Sequence, residues 1–433
     1  MRKFLTAAVG LALVANAASA QTTRAVSKFD VAGIPVIFKP ISANEVIAVR
    51  LYIRGGSANL STANAGIEKM MLQASTQGTA KYGKDAFAAR STESGTNIGS
   101  ETTPDYSVLT LQGVRQNWSA AWDLFTQAAL HPTFPASEVA IVKGRLVDAA
   151  KRLPDDADTY LNYLADSLLY SGHPYAITPA GTVSSLSSID RNALAAWHKQ
   201  RMTKENLLLV VVGNVPRADL VAKIRLAFGA LPANGGAAVS VAALPAVTPA
   251  VVVVQRPLPT NYILGQFSAP TLTDPDYPAF RAATDILGDN LFQEVRTKRN
   301  LTYAVGSGLG TRHVNRGNLY VTAIAPDTTV KVIFSTVKHL QDEPLTQAAI
   351  AENENVSLTN SFLRQETNMG QATALGMWEL VGGGWQNDDR FISAYKRVTA
   401  TDIQRVARKY MQHARFVVIG DPAKVTQSLL TSF

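Results

Sequence analysis

The sequence predicts an α+β protein made of two similar, duplicated domains, each a mostly antiparallel sheet covered by helices. Three observations lead there. The chain has 433 residues, more than twice the roughly 100–200 expected of one domain. An uncharged run rich in Ala, Gly and Pro, residues 231–249, divides it and reads as a linker. On either side the same order of strands and helices recurs, which is the pattern of an internal duplication. Hydrophobic residues make up 46% of the chain and charged residues 17%. That is enough apolar material for large cores and too little charge for a disordered or fibrous chain.

The first half places a strand at 46–54, helices near 66–75 and 84–94, strands near 96–102 and 106–113, and helices near 118–130 and 137–153. The second places a strand at 261–268, helices near 277–287 and 290–298, strands near 302–309 and 319–325, and helices near 329–341 and 346–364. Both halves finish alike. A helix after Asp190 leads into LLLVVVGNV at 207–215, and a helix after Asp402 leads into FVVIGDP at 416–422. Strands such as YSVLTL, 106–111, alternate with period two, so one face should lie under helices and the other stay open. Two such open faces turned towards each other would enclose a cavity, gated by movement about the linker.

Residues 1–20 begin Met-Arg-Lys, continue as an apolar run from Phe4 to about Ala15 and end in Ala18-Ser19-Ala20. This is the form of a secretory signal peptide, and the run is too short to cross a bilayer comfortably. The expected organisation is a signal peptide 1–20, an N-terminal domain 21–230, a linker 231–250 and a C-terminal domain 251–433, in an exported, periplasmic protein with no membrane span. Removing Arg2 and Lys3 lowers the formal charge from +8 to +6. So thin an excess, with no basic block, argues against nucleic acid as a partner.

No cysteine is present, which excludes disulfides, thiolate nucleophiles and cysteine metal sites. The six histidines, at 131, 173, 198, 313, 339 and 413, are scattered and form no metal pair. Each reads as a surface, loop or capping residue. There is no serine nucleophile elbow and no phosphate-cradling glycine pattern; Gly382-Gly383-Gly384 reads as a turn.

The segment GIEKMMLQASTQGT, 66–79, resembles the pitrilysin, insulin-degrading-enzyme and mitochondrial-processing-peptidase family. There the matching segment runs like G-L-x-H-x-x-E-H-M-L-F-x-G-T. Gly55-Gly56-Ser57, Asp155-Asp156, and His173-Pro174-Tyr175 followed by Gly181-Thr182 extend the resemblance over nearly the whole chain. Anchored on Gly66 and on Gly78-Thr79, the two zinc histidines of the family fall on Lys69 and Gln73, and its catalytic glutamate on Leu72. Spacing i, i+3, i+4 puts such a trio on one helical face, where two imidazoles hold zinc and the glutamate takes a proton from bound water. Here that face offers an ammonium, an isobutyl group and an amide. The third ligand of the family, a glutamate, should fall near 148–150, where Asp148 is the one carboxylate. The resemblance therefore implies no zinc in this chain.

The second half carries NLFQEVRTKRNLTYAVGSG, 290–308, similar to the family signature L-F-x-x-[IV]-R-x-K-x-x-L-x-Y-x-V. It keeps Arg296 and Tyr303, which the resemblance implies are substrate-binding groups. Both are hydrogen-bond donors suited to a peptide carbonyl and to the oxyanion formed when water adds to it. Arg90 and Asn97 occupy the corresponding places in the first half, so only the second half completes the donor pair. The glycine-rich loop of the inactive mitochondrial processing subunits is replaced by Gly288-Asp289-Asn290, and presequence processing is not expected.

The resemblance thus implies one half of a clamshell, a non-catalytic subunit of a heterodimeric zinc metallopeptidase. It would not be catalytic alone. The homologous partner would bring zinc, and this chain would bring Arg296 and Tyr303 to a peptide substrate. The alternative expectation is a periplasmic peptide-binding or scaffold homologue with no proteolytic role.

Overall fold

A computed structural model describes residues 26–234 and 241–433; the signal-peptide reading of 1–20 lies outside the described residues. The chain opens with β1 (Ser27–Val31) and β2 (Ile34–Pro40). Ala32 and Gly33, both at positive φ, form the two-residue turn between them, whose twist matches that of the paired strands. There follow β3 (Val46–Arg54), α1 (Ile67–Ala74), α2 (Lys84–Glu93), β4 (Asn97–Thr102), β5 (Tyr106–Val114), α3 (Trp118–Leu130) and α4 (Ala136–Arg152). Then come α5 (Ala157–Leu169), α6 (Val183–Ser188), α7 (Arg191–Arg201), β6 (Leu207–Gly213) and α8 (Arg217–Phe228).

The second half begins with β7 (Ala250–Gln255), β8 (Asn261–Ser268) and α9 (Tyr277–Leu291), which continues as a π-helical turn over Phe292–Thr297. It continues with β9 (Val305–Leu309), β10 (Arg316–Ala323), α10 (Pro326–Asp342), α11 (Gln347–Arg364), α12 (Asn368–Leu380), α13 (Asn387–Tyr395), α14 (Ala400–Tyr410), β11 (Arg415–Gly420) and α15 (Gln427–Leu430).

The sheets run β1-β2-β6-β3-β5-β4 and β7-β11-β8-β10-β9. In each, one parallel pair, β2 with β6 and β7 with β11, sits beside antiparallel neighbours. The correspondence β2/β7, β6/β11, β3/β8, β5/β10 and β4/β9 holds strand for strand, so the duplication read from the sequence is present in the fold.

One face of β3, carrying Ile47, Val49, Leu51 and Ile53, packs into the N-terminal helical core, which also holds Leu72 and Phe125. The opposite face was expected to stay open, and it does not. Helix α12, from the second half, lies across β3 and β6, setting Ala372 and Leu375 against Ala48, Tyr52, Leu208 and Val210. A Cβ at Gly376 would stand 2.2 Å from the Tyr52 ring, so glycine is what lets this helix approach. In exchange α5, from the first half, covers β8 and β11, with Leu161 and Ala165 on Leu264, Val417 and Ile419. The halves are therefore interlocked. Strand periodicity could not show this, because it reports which residues share a face, not which distant helix covers that face.

The linker was expected to act as a hinge. Of its described residues, 231–234 and 241–249, the second stretch is pinned instead. Val241, Leu244 and Val247 pack on Leu169, Tyr170, Tyr175 and Val314. The Ala242 carbonyl lies 3.0 Å from His173 Nε2, and Arg415 Nε donates to the Thr248 carbonyl at 3.1 Å.

Other elements also differ from expectation. The helix near 290–298 is the continuation of α9, held in register by buried Val295. Strand β9 starts at Val305, because the Thr302 hydroxyl pairs with that of Thr322 at 3.0 Å and holds 302–304 as a loop. Helix α14 starts at Ala400, with Thr399 as cap and Asp402 closing a capping box, so Asp402 lies inside the helix and does not precede it.

Candidate functional site

Gly66, at φ 88°, stands immediately before helix α1 as its N-terminal cap. A Cβ there would meet Leu186 at 2.7 Å and the Gly181 backbone at 2.8 Å, so the GIEK start and the later Gly181-Thr182 are packed on each other. Glu68 points inwards, accepts from the Ser107 hydroxyl and lies 3.8 Å from Arg201 Nε. Burial pushes its carboxyl above the ordinary value. Nothing in the sequence reading singled it out, because a carboxylate beside Lys69 looks like surface charge until the fold buries it.

Of the three positions that the resemblance aligns with the family's zinc site, Leu72 is built into the core, while Lys69 and Gln73 are half-buried. Only Lys69 reaches a cavity of about 380 Å³ whose other walls include Leu146 and Ala150 of α4, Leu153 just beyond it, and Asn162, Tyr163 and Asp166 of α5, the last already paired with two arginines. Asp148 is not on that wall. It is exposed, 3.9 Å from Lys151, so the third-ligand face of α4 presents alanine and leucine. Zinc needs imidazole, thiolate or carboxylate donors at about 2.0–2.3 Å. An ammonium, a packed leucine and an amide beside an aliphatic wall do not fit it. Among the described residues no three His, Asp or Glu side chains come together to hold a metal ion.

Arg296 lies in the π-helical turn and Tyr303 in the loop before β9, and the fold brings them together. The guanidinium carbon stands 5.8 Å from the Tyr303 ring centroid and 4.8 Å from that of Phe292. Tyr303 is 83% exposed and Phe292 41%. The nearby acid, Glu294, is occupied by Lys298 and Arg299, each at 2.6 Å, and these bonds hold its carboxyl below the ordinary range. Arg296 is thus left without an ion pair among the described residues. The extra residue in a π turn commonly re-aims side chains at functional sites. Neither Arg296 nor Tyr303 lines the Lys69 cavity. Arg90 and Asn97, also exposed, sit at the topologically equivalent α2–β4 junction.

Sequence reading missed the polar bolts between the halves. Asp166 of α5 meets Arg312 and Arg316 at 2.8 Å each and accepts from Gln266 at 3.0 Å. Burial pushes its carboxyl up, but the two guanidiniums hold it below the ordinary range. Asp105 accepts from the Tyr175 hydroxyl and lies 2.8 Å from His313 Nδ1. The histidines otherwise behave as expected of loop and capping residues: His173 accepts from the Tyr175 amide at 3.1 Å. His198, held at 2.8 Å from the Ala129 carbonyl, is pushed down by burial.

The two duplicated halves make a peptidase-family scaffold in which, among the described residues, no group of three or more His, Asp or Glu side chains could hold a metal ion. The chain belongs to the M16 peptidase family. The description "Insulinase (Peptidase family M16)" matches residues 36–169 and "Peptidase M16 inactive domain" matches 188–356. It is 22% identical over 398 residues to an uncharacterized zinc protease of Mycobacterium leprae, covering 88% of this chain and 87% of that one. The fold matches a peptidase M16 inactive domain from Pseudomonas fluorescens with a TM-score of 0.83 at 22% identity, over 92% of this chain and 98% of that one. It also matches the periplasmic protease PqqL from Escherichia coli, TM-score 0.76 at 15% identity, over 97% of this chain but 49% of that one. Among the described residues no helix is long and apolar enough to cross a membrane.

Proposed function

We propose that this chain is the non-catalytic subunit of a heterodimeric zinc metallopeptidase, acting in the periplasm on peptide substrates. The observation that carries the reading is the contrast between two positions. The positions aligned with the metal site hold Lys69, Leu72 and Gln73, whereas Arg296 and Tyr303 stand side by side and exposed, with no ion-pair partner for Arg296 among the described residues. A guanidinium and a phenol that serve neither core nor ion pair are available to a peptide carbonyl delivered from outside. The metal and its general base come from a homologous partner, and this chain positions and polarises the substrate. That the chain matches 49% of a periplasmic protease fits a role as half of an assembly, and the apolar leader read at 1–20 fits export. The domain division 21–230, 231–250 and 251–433 belongs to the same reading.

The test is co-expression with a homologue that carries an intact His-x-x-Glu-His motif. Activity on a quenched peptide should need both chains and fall when Arg296 or Tyr303 is replaced. Full activity of the partner without this chain refutes the proposal.

A further inference from the structure

A lysine normally keeps its ammonium in water, because a charge taken out of water is costly unless it is paired. Lys69 departs from that habit. It is half-buried on the wall of the cavity of about 380 Å³ between α1, α4 and α5. Among the described residues its ammonium has neither an ion-pair partner nor a hydrogen-bond acceptor, whereas the next lysines along the chain, Lys81 and Lys84, each hold a carboxylate at 2.8 Å. The cavity falls within the roughly 300–1,000 Å³ of clefts that take small molecules, and it has their composition, an apolar wall with a few polar groups. Pro104, Leu146, Ala150, Leu153 and Pro179 supply the apolar part.

Some polar groups of the lining are already committed. The Tyr175 hydroxyl donates to Asp105, the Thr178 hydroxyl accepts from the Ala180 amide at 3.2 Å, and the Asn162 amide donates to the Asp158 carbonyl at 2.9 Å. The carboxylate on the wall, Asp166, is no counter-ion for Lys69, because its oxygens already hold Arg312 and Arg316 at 2.8 Å each and Gln266 at 3.0 Å. Arg312 Nη1, buried behind that carboxylate, has no acceptor. Two hydroxyls of the wall are free. Tyr163 and Ser167, one turn apart on α5, are both half-buried, and neither hydroxyl bonds to another described residue. Three half-buried donors therefore line one cavity without an acceptor, and the wall with its backing carries more positive than negative charge.

An unpaired ammonium beside two free hydroxyls in an apolar cleft is the chemistry that holds a carboxylate on an apolar tail, by charge-assisted hydrogen bonds at one end and burial at the other. A single ammonium matches one negative charge, which favours a carboxylate over a phosphate dianion. We propose that this cavity binds a carboxylate carried on a short apolar group, either the free C-terminus of a peptide or a small aliphatic acid. Lys69 is its counter-ion, the hydroxyls of Tyr163 and Ser167 donate to its oxygens, and Leu146, Leu153 and Pro179 hold the tail. The site needs this chain alone, so it can fail without the partner-dependent role of Arg296 and Tyr303 failing, and the reverse.

The full chain, without a partner, is titrated calorimetrically with acetyl-Ala-Leu and with hexanoate, using acetyl-Ala-Leu-amide as the uncharged control. Saturable binding is expected from at least one acid and not from the amide; which acid binds identifies the source. Lys69→Gln should weaken it about tenfold or more, the loss of a hydrogen bond to a charged group. An unchanged urea midpoint shows that this variant is folded. The Tyr163→Phe, Ser167→Ala double variant removes only two hydroxyl oxygens, so misfolding is no explanation for its loss, and it should weaken binding about threefold or more. No saturable binding of either acid at millimolar concentration overturns the proposal. So does binding of the amide as tight as that of the acid, and so does undiminished binding in Lys69→Gln or in the double variant.

Discussion

Replacing Asp166 with asparagine tests whether the interlocked halves unfold as one unit. Among the described residues this is the one carboxylate paired with Arg312 and Arg316, whose side chains are 19% and 13% exposed. The substitution leaves two guanidiniums side by side in a half-dry interface with no counter-charge. Removing one partner of a buried ion pair costs about 3–5 kcal/mol, and the residual exposure of the trio brings the expectation to the lower end, about 3 kcal/mol. With a urea slope on the order of 3 kcal/mol per M for a chain of this size, the midpoint should fall by about 1 M. Trp118, Trp122 and Trp197 report the first half, Trp378 the second and Trp385 the seam between them, so tryptophan fluorescence compared with far-UV circular dichroism follows both. One coincident transition, moved as a whole, is expected. Two separated transitions with only one displaced, or a shift below about 0.2 M, would refute the reasoning. The folded carboxyl of Asp166 lies below its ordinary value. Its contribution is therefore present above the unfolded pKa of about 4 and is lost as pH falls through the folded value, and the variant should lack that acid-side loss.

His313 runs the other way. Asp105 raises its pKa, so the stability it adds is complete below about pH 6.5 and is lost as pH climbs through the folded value; His313→Gln should flatten thermal stability over that range. Gly66→Ala forces a side chain into left-handed backbone against Leu186 and Gly181 and should cost about 2 kcal/mol or more in urea unfolding. Arg296→Ala and Tyr303→Phe should each leave the stability of the isolated chain within about 0.5 kcal/mol, because both side chains are exposed. In the two-chain assay each should lower kcat/KM by about 10²–10³ if it contacts the developing oxyanion.

The duplication was legible because each half repeats its own order of periods and turns. The chemistry of Lys69, Leu72 and Gln73, the positions that the resemblance aligns with the family's zinc site, was legible too, because an ammonium, an isobutyl group and an amide are poor zinc donors whatever surrounds them. Two things were not. Helices α5 and α12 pack against sheets in the opposite half, and the period of a helix carries no record of its partner. Asp148 looked like a surviving ligand by count, yet the face of α4 towards Lys69 is Leu146, Ala149 and Ala150; a register error of one or two residues along a helix turns a side chain by 100–200°.

The exchange of α5 and α12 also decides where motion can occur. Fully burying a leucine contributes about 1.5–3 kcal/mol, so separating the halves would expose Leu161 and Leu375 together with the strand residues beneath them, and would break the Asp166 and Asp105 clusters as well. The exchanged helices and the pinned linker make the two halves one body. In the proposed two-chain complex, access to a chamber would therefore come from this whole chain moving against the other. Arg296 and Tyr303, on the exposed turn before the edge strand β9, would then approach or leave a metal on the partner as a unit. A disulfide engineered between α5 and β11 should leave activity of the complex intact, whereas a cross-link between the two chains should abolish turnover.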